Sequence, residues 1–375
     1  MSRKKTNSQF MILSAIGILF VVDAHAWSPL GIMAGVMPYN SFFMPMFIFI
    51  SGYFFREKKL DNTGQYILKK AKTLLIPYFV WTLFYGILVN VLKSMGIIYY
   101  GEKLSLKTLF VEPWQNGKMF QINEPSWFVP VLFMVTAAYI ILRKIIRPLW
   151  NDVVMMLIFF ITGTLSVYLA RHGYNTPVNL PWLKTLFFLQ FYQLGVCYGR
   201  YVEKYYKKCP KLIIMLAAVL VNIILVRKYG DLSFIGLTEM SGFNIDNIFL
   251  PFITSVTGIS FWLCVADILT PSLENNGIVR FISDNTFGLM MHHLFLFNVL
   301  NAIFYMYTKY ISKNGMFDIG AFRSTAWYRY EYSYVYRWFY LIFAVLAYIF
   351  IKKLYDNVSK KVVSYIKNKR KTDAE

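Results

Sequence analysis

Apolar and polar positions along this chain separate into blocks. Runs of about 18 apolar residues, the length a helix needs to cross a hydrocarbon core, alternate with short segments that hold most of the charge. Ten such stretches are read, at residues 10–27, 38–55, 74–93, 126–142, 153–170, 184–200, 211–227, 248–269, 286–307 and 337–353. They predict an all-α, polytopic membrane bundle of about ten transmembrane helices. Residues 1–8 read as a short N-terminal segment, 9–353 as the membrane domain and 354–375 as a basic tail.

Composition agrees. The 375 residues are 57% hydrophobic and 15% charged, a balance that belongs to membrane spans and not to a soluble core. The net charge of +20 raises nucleic acid as a partner, but its distribution excludes it. Arg3, Lys4 and Lys5, then Arg56 to Lys72, Arg143 to Arg147, Arg200 to Lys211 and the residues from Lys352 onward all fall on one side of the predicted bundle. The positive-inside rule places that side, with both termini, in the cytoplasm. The expected partner is the lipid bilayer of the cell membrane, with no nucleic acid. The ninth loop, with Lys309, Lys313, Arg323, Arg329 and Arg337, runs against the rule, and the eighth, on the cytoplasmic side, has only Arg280. Trp27, Trp114, Trp127, Trp182 and Trp327 are expected in an outer aromatic belt. Cys197, Cys209 and Cys264 have no metal-ligand spacing, so neither a disulfide nor a metal site is expected.

Ionisable groups inside a bilayer are costly, and each is a candidate functional residue. His25 closes the first stretch, FMILSAIGILFVVDAHAW. Ser14 precedes it by eleven residues, about 1100° of helix, so the two share a face roughly 16 Å apart. Asp23 points elsewhere and is expected to pair with a basic group on a neighbouring helix, as structural support. His292 and His293 are adjacent and point about 100° apart, so they do not face one pore together. Lys69 and Lys72 share a helical face, although the charge rule alone accounts for basic residues there. Glu124, beside Pro125-Ser126-Trp127, is placed at an outer mouth. Ser51-Gly52-Tyr53 suits close helix packing, and Gln190 and Gln193 suit hydrogen bonds across helices. Ala24-His25-Ala26 also fits a small-x-small cleavage site. Cleavage there would remove His25, but the charged Asp23 and bulky His25 sit poorly in such a site.

Five segments, in order, resemble the acyltransferase-3 family of integral membrane acyltransferases. They are SAIGILFVVDAH in the first stretch, MPMFIFISGYFF from Met44, Lys69-Lys70-Ala71-Lys72 leading into LLIPYFVW, Ser126-Trp127-Phe128, and NTFGLMMHH from Asn285 to His293. The resemblance runs from about residue 8 to about residue 350 and is closest to members that acylate sugars of surface polysaccharides. Two positions depart from the family pattern. Ser14 stands where a basic residue is usual, and Met290 where a tyrosine is usual.

The resemblance implies transfer of an acetyl or succinyl group from cytoplasmic acyl-CoA to a sugar hydroxyl of a surface polysaccharide or lipid-linked glycan, with no cofactor beyond that donor. Such a reaction needs a base near neutral pH, which histidine supplies, and cations for the CoA phosphates. On this reading His25 and His293 are catalytic, and Ser14, Lys69 and Lys72 face the donor. Glu124 and Trp127 face the acceptor, while Asp23 and His292 give structural support. The competing reading of His25 is an interfacial histidine bonded to a loop. A glycan or lipid transporter or flippase explains the spans and polar residues equally well, but not the order of the five segments. The missing basic residue at Ser14 raises a third reading, a catalytically inactive relative.

Overall fold

The computed structural model describes residues 7–233, 236–241, 247–312, 316–331 and 333–372, the last eleven by backbone alone. Arg3, Lys4, Lys5 and Lys313 of the charge pattern lie outside the described residues, as does the tail beyond 372.

Among the described residues, ten principal helices form where the apolar stretches predict them. They are α1 (Ser8–His25), α2 (Phe43–Tyr53), α3 (Thr63–Ser94), α4 (Glu124–Ile145), α5 (Asp152–Tyr174), α6 (Leu180–Cys197), α7 (Lys211–Tyr229), α8 (Leu250–Leu273), α9 (Thr286–Ser312) and α10 (Val335–Thr372). Among the described residues the only extended pairing is an isolated bridge between Gly236 and Ser241. The chain is thus an all-α, multi-pass membrane protein, with eight helices among the described residues long and apolar enough to cross a membrane.

The two remaining helices differ for physical reasons. The stretch 38–55 yields only the eleven residues of α2, about 16 Å of helix, because Tyr39–Ser41 form a 3-10 turn before it. Helix α6 carries the buried Lys184, Gln190 and Gln193, which dilute its hydropathy. These groups are tolerated because α6 packs against α2, α4 and α5 inside the bundle.

Burial separates the centre from the rim. Two-thirds (67%) of α1 is buried, against 11% of α7. Helix α1 packs on α2, α8, α9 and the short helix Gly277–Asp284, which places His25 among several elements. Tyr334, just before α10, donates to the Pro29 carbonyl at 3.0 Å. Helix α10 therefore starts beside the loop that follows α1 and runs back toward the end of the bundle opposite His25.

That opposite end is tied by a closed ion network. Arg143 bonds Asp152 at 2.8 Å and pairs with Glu57, and Arg200 bonds Asp152 at 2.8 Å and Glu57 at 2.6 Å. Gln193 accepts from Tyr139 at 2.7 Å and donates to the Asp152 carbonyl at 2.8 Å, bonding across helices as expected. Gln190 does not, since it donates to Phe187 O of its own helix.

Gly52 sets the approach of α2 to α6. A Cβ there would collide with the Tyr192 carbonyl, and one at Gly195 with that of Phe49. Backbone cannot swing aside as a side chain can, so Gly52→Ala is expected to cost about 1–3 kcal/mol. Thermal unfolding in detergent reads this against Gly64→Ala, where a Cβ meets nothing within 4 Å.

Candidate active site

The last turn of α1 leaves carbonyls without intrahelical partners. The chain answers locally. Ala26 N bonds Val22 and Asp23 O, Ser28 N bonds Asp23 O, and Trp27 and Ser28 take positive φ values of 62° and 51°. The Asp23 side chain accepts the Leu30 N–H at 3.0 Å. It thus supports the loop after α1, and among the described residues it makes no ion pair with a neighbouring helix; the expected basic partner is replaced by backbone.

This turn delivers His25 to His293 of α9. His25 Nδ1 lies 2.8 Å from His293 Nε2, and His293 Nδ1 lies 2.8 Å from the Leu289 carbonyl. A carbonyl only accepts, so His293 Nδ1 carries a proton and its Nε2 is an acceptor. His25 Nδ1 must then be the donor, which leaves the lone pair on His25 Nε2. Two neutral imidazoles in series thus present one basic nitrogen.

His25 lines a cavity of about 720 Å³ together with Val21 and Ala24 of α1, Phe43 and Met44 of α2, the start of α4, and residues of four connecting loops. Glu124 and Trp127 line it, joined by Gln121, Glu239 and Trp327. The Trp327 ring stands edge-on to His25 with centroids 5.1 Å apart, and its Nε1 donates to Glu124 at 3.0 Å. Lys118 and Glu239 form an ion pair of 3.0 Å at the same cavity. Behind Trp127, the buried Lys184 ammonium lies 5.1 Å from its ring and donates to the Gln115 carbonyl. Trp27 and Trp182 are exposed at 44% and 64%, as an aromatic belt requires. Trp127 and Trp327 instead turn inward to the cavity.

The other candidate residues lie elsewhere. His292, one position from His293, turns to α3, where its Nδ1 meets the Tyr85 hydroxyl at 2.7 Å and its ring stands on Trp81. Ser14 is half-buried on α1 and is not part of the cavity lining. Lys69 and Lys72 are exposed at the start of α3, opposite His25, and have no carboxylate partner among the described residues. Nearby, burial first and then Lys70 and Arg56 push the Lys59 ammonium down to about 8.

Among the cavity residues, Trp327 reads in the sequence as a belt residue, and Gln121 and Glu239 have no signal there that separates them from ordinary loop residues. Arg329 had one. It is a basic residue in the loop that breaks the charge rule, and it is buried at 3% exposure.

A family model described as an acyltransferase domain matches residues 12–351. No curated protein and no solved structure matches the chain.

Proposed function

The chain belongs to the acyltransferase-3 family, and on that premise we propose that this multi-pass membrane acyltransferase moves an acetyl or succinyl group from acyl-CoA to a sugar hydroxyl of a surface or exported polysaccharide. The observation that carries the reading is the His25–His293–Leu289 chain, which leaves a basic nitrogen on a residue lining the cavity.

The steps follow from that geometry. An acceptor hydroxyl in the cavity gives its proton to His25 Nε2 as its oxygen attacks the thioester carbonyl. His293 Nε2 accepts from His25 Nδ1 throughout and shares the positive charge that develops. The tetrahedral intermediate collapses, the C–S bond breaks, and the proton on His25 passes to the leaving thiolate. The products are an ester and free CoA, and the histidines return to their starting state.

The cavity suits a sugar. Its volume is in the usual range for a small-molecule site, with tryptophan rings beside carboxylate and amide groups that take hydroxyls. The donor enters from the opposite end, which lies in the cytoplasm by the charge rule. There Lys69 and Lys72 are free of ion pairs among the described residues, whereas Arg143 and Arg200 are held by Glu57 and Asp152. Ser14 lies on α1 between the two ends and offers a hydroxyl to the donor arm in place of a cation. Asp23 and His292 act by holding the loop after α1 and the face of α3.

Two experiments test this. Mass spectrometry of the cell-surface glycan with and without the chain is expected to differ by acetyl or succinyl units; identical glycans contradict the proposal. Glu124→Ala removes the acceptor of the Trp327 N–H and a charged hydrogen-bonding group, worth about 1.5 kcal/mol. The acceptor KM is therefore expected to rise about tenfold with kcat little changed, as read by titrating deacylated surface polysaccharide at fixed acyl-CoA.

A further inference from the structure

Arg329 is a buried cation with no carboxylate partner among the described residues. Its Nε donates to the His25 carbonyl at 3.1 Å, and its Nη1 donates to the carbonyls of Ala326 at 3.0 Å and Tyr328 at 2.6 Å. Nη2 is buried without a hydrogen-bond partner. The guanidinium sits 4.4 Å from the Phe297 ring and 5.5 Å from that of Tyr340, and Phe297 in turn packs on His293. Burial lowers its affinity for the proton, opposed by the Tyr340 and Tyr100 phenols. A cation is expensive in such a place, and several neighbouring groups keep it there. Asn298 and Asn301 of α9 hold the Ala326 and Tyr328 carbonyls at 3.1 and 2.9 Å.

We infer that Arg329 is the positioning residue of His25. It reaches one of the orphan carbonyls at the end of α1, where a cation also complements the helix dipole. The same guanidinium grips the strap that carries Trp327, whose ring packs against the His25 imidazole. Arg329 therefore fixes the base from its backbone side and its ring side at once. It does not line the cavity, so it acts on turnover through His25 and not through acceptor binding. This rests on the reading of His25 as the base.

The test uses the full-length protein in detergent, with acetyl-CoA and deacylated surface polysaccharide as substrates and His25→Ala beside it. A misplacement of about 1 Å costs on the order of 100-fold in rate. Arg329→Ala is expected to lose about that in kcat, with the acceptor KM within about twofold of wild type. Guanidinium added well below denaturing concentrations is expected to recover part of the loss by filling the vacated site. Arg329→Lys, which keeps the charge without the fork, is expected to fall between the two, and it decides the matter alone if the alanine variant does not fold. Wild-type kcat in Arg329→Lys or Arg329→Ala, or a rise in KM with kcat intact, overturns the inference while His25→Ala remains inactive. Full turnover in His25→Ala overturns the base reading and this inference with it.

Discussion

Replacing His25 by alanine is expected to lower kcat by about 10²–10⁴-fold, the range that a positioned general base contributes, with the protein still inserted and folded. The expectation rests on which nitrogen is free. Leu289 O fixes the proton on His293 Nδ1, His293 Nε2 fixes the proton on His25 Nδ1, and Nε2 of His25 is left to accept from a substrate. No other histidine lines the cavity among the described residues. Retained folding is expected because the loop after α1 is held by Asp23 and Arg329, which bind the His25 main chain or its neighbours and not its ring. His292→Ala, one residue from the partner histidine but turned to Tyr85, serves as the control. Single-turnover acyl transfer by both variants reads the difference, and similar rates in the two would remove His25 from the chemistry.

The second large effect falls at the other end and on stability. Asp152→Asn is expected to destabilise the protein by about 3 kcal/mol, the low end of the cost of removing one partner from a buried ion pair. Its side chain is 4% exposed and receives both Arg143 and Arg200, with Trp150 and Tyr201 as further donors. Without its charge, two guanidinium groups would share Glu57 alone. Arg143→Met added to Asp152→Asn is expected to cost less than the sum of the two single changes, because the uncompensated charge is then gone. Unfolding in detergent or graded denaturant measures each step. Strict additivity would mean that the network has no shared energetics.

Much of this architecture is legible in the chain. The apolar blocks place all ten principal helices, and the 100° between adjacent helical residues separates His292 from His293. Glu124 is expected at a mouth and lines the cavity. What is not legible depends on contacts across long stretches of sequence. His25 and His293 are 268 residues apart, and only the packing of α1 on α9 brings their rings together. Asp23 looks like half of an ion pair, because a sequence displays candidate charges but not the unpaired N–H groups of a loop that can serve as well. Gln190 turns back to its own helix for a similar reason. Trp127 and Trp327 look like belt residues, since nothing local distinguishes an indole at the lipid interface from one folded over a cavity. Arg329 does leave a trace as a cation on the wrong side of the charge pattern. Its burial against α1 accounts for one of the basic residues by which that loop departs from the rule.

The family's usual basic residue is absent from α1, and Ser14 in its place is half-buried and uncharged. With no cation at that position, the proposed reaction assigns the donor's negative charge to the exposed Lys69 and Lys72. Everything proposed for His25 depends on the chain transferring an acyl group rather than simply moving a glycan across the membrane. The deciding experiment incubates purified, vesicle-reconstituted protein with acetyl-CoA labelled in the acetyl group and with deacylated surface polysaccharide. The expected result is label in an alkali-labile ester on the polysaccharide, one free CoA released per ester, and loss of both in His25→Ala. Movement of the glycan across the vesicle with no label transferred from acetyl-CoA or succinyl-CoA would contradict it.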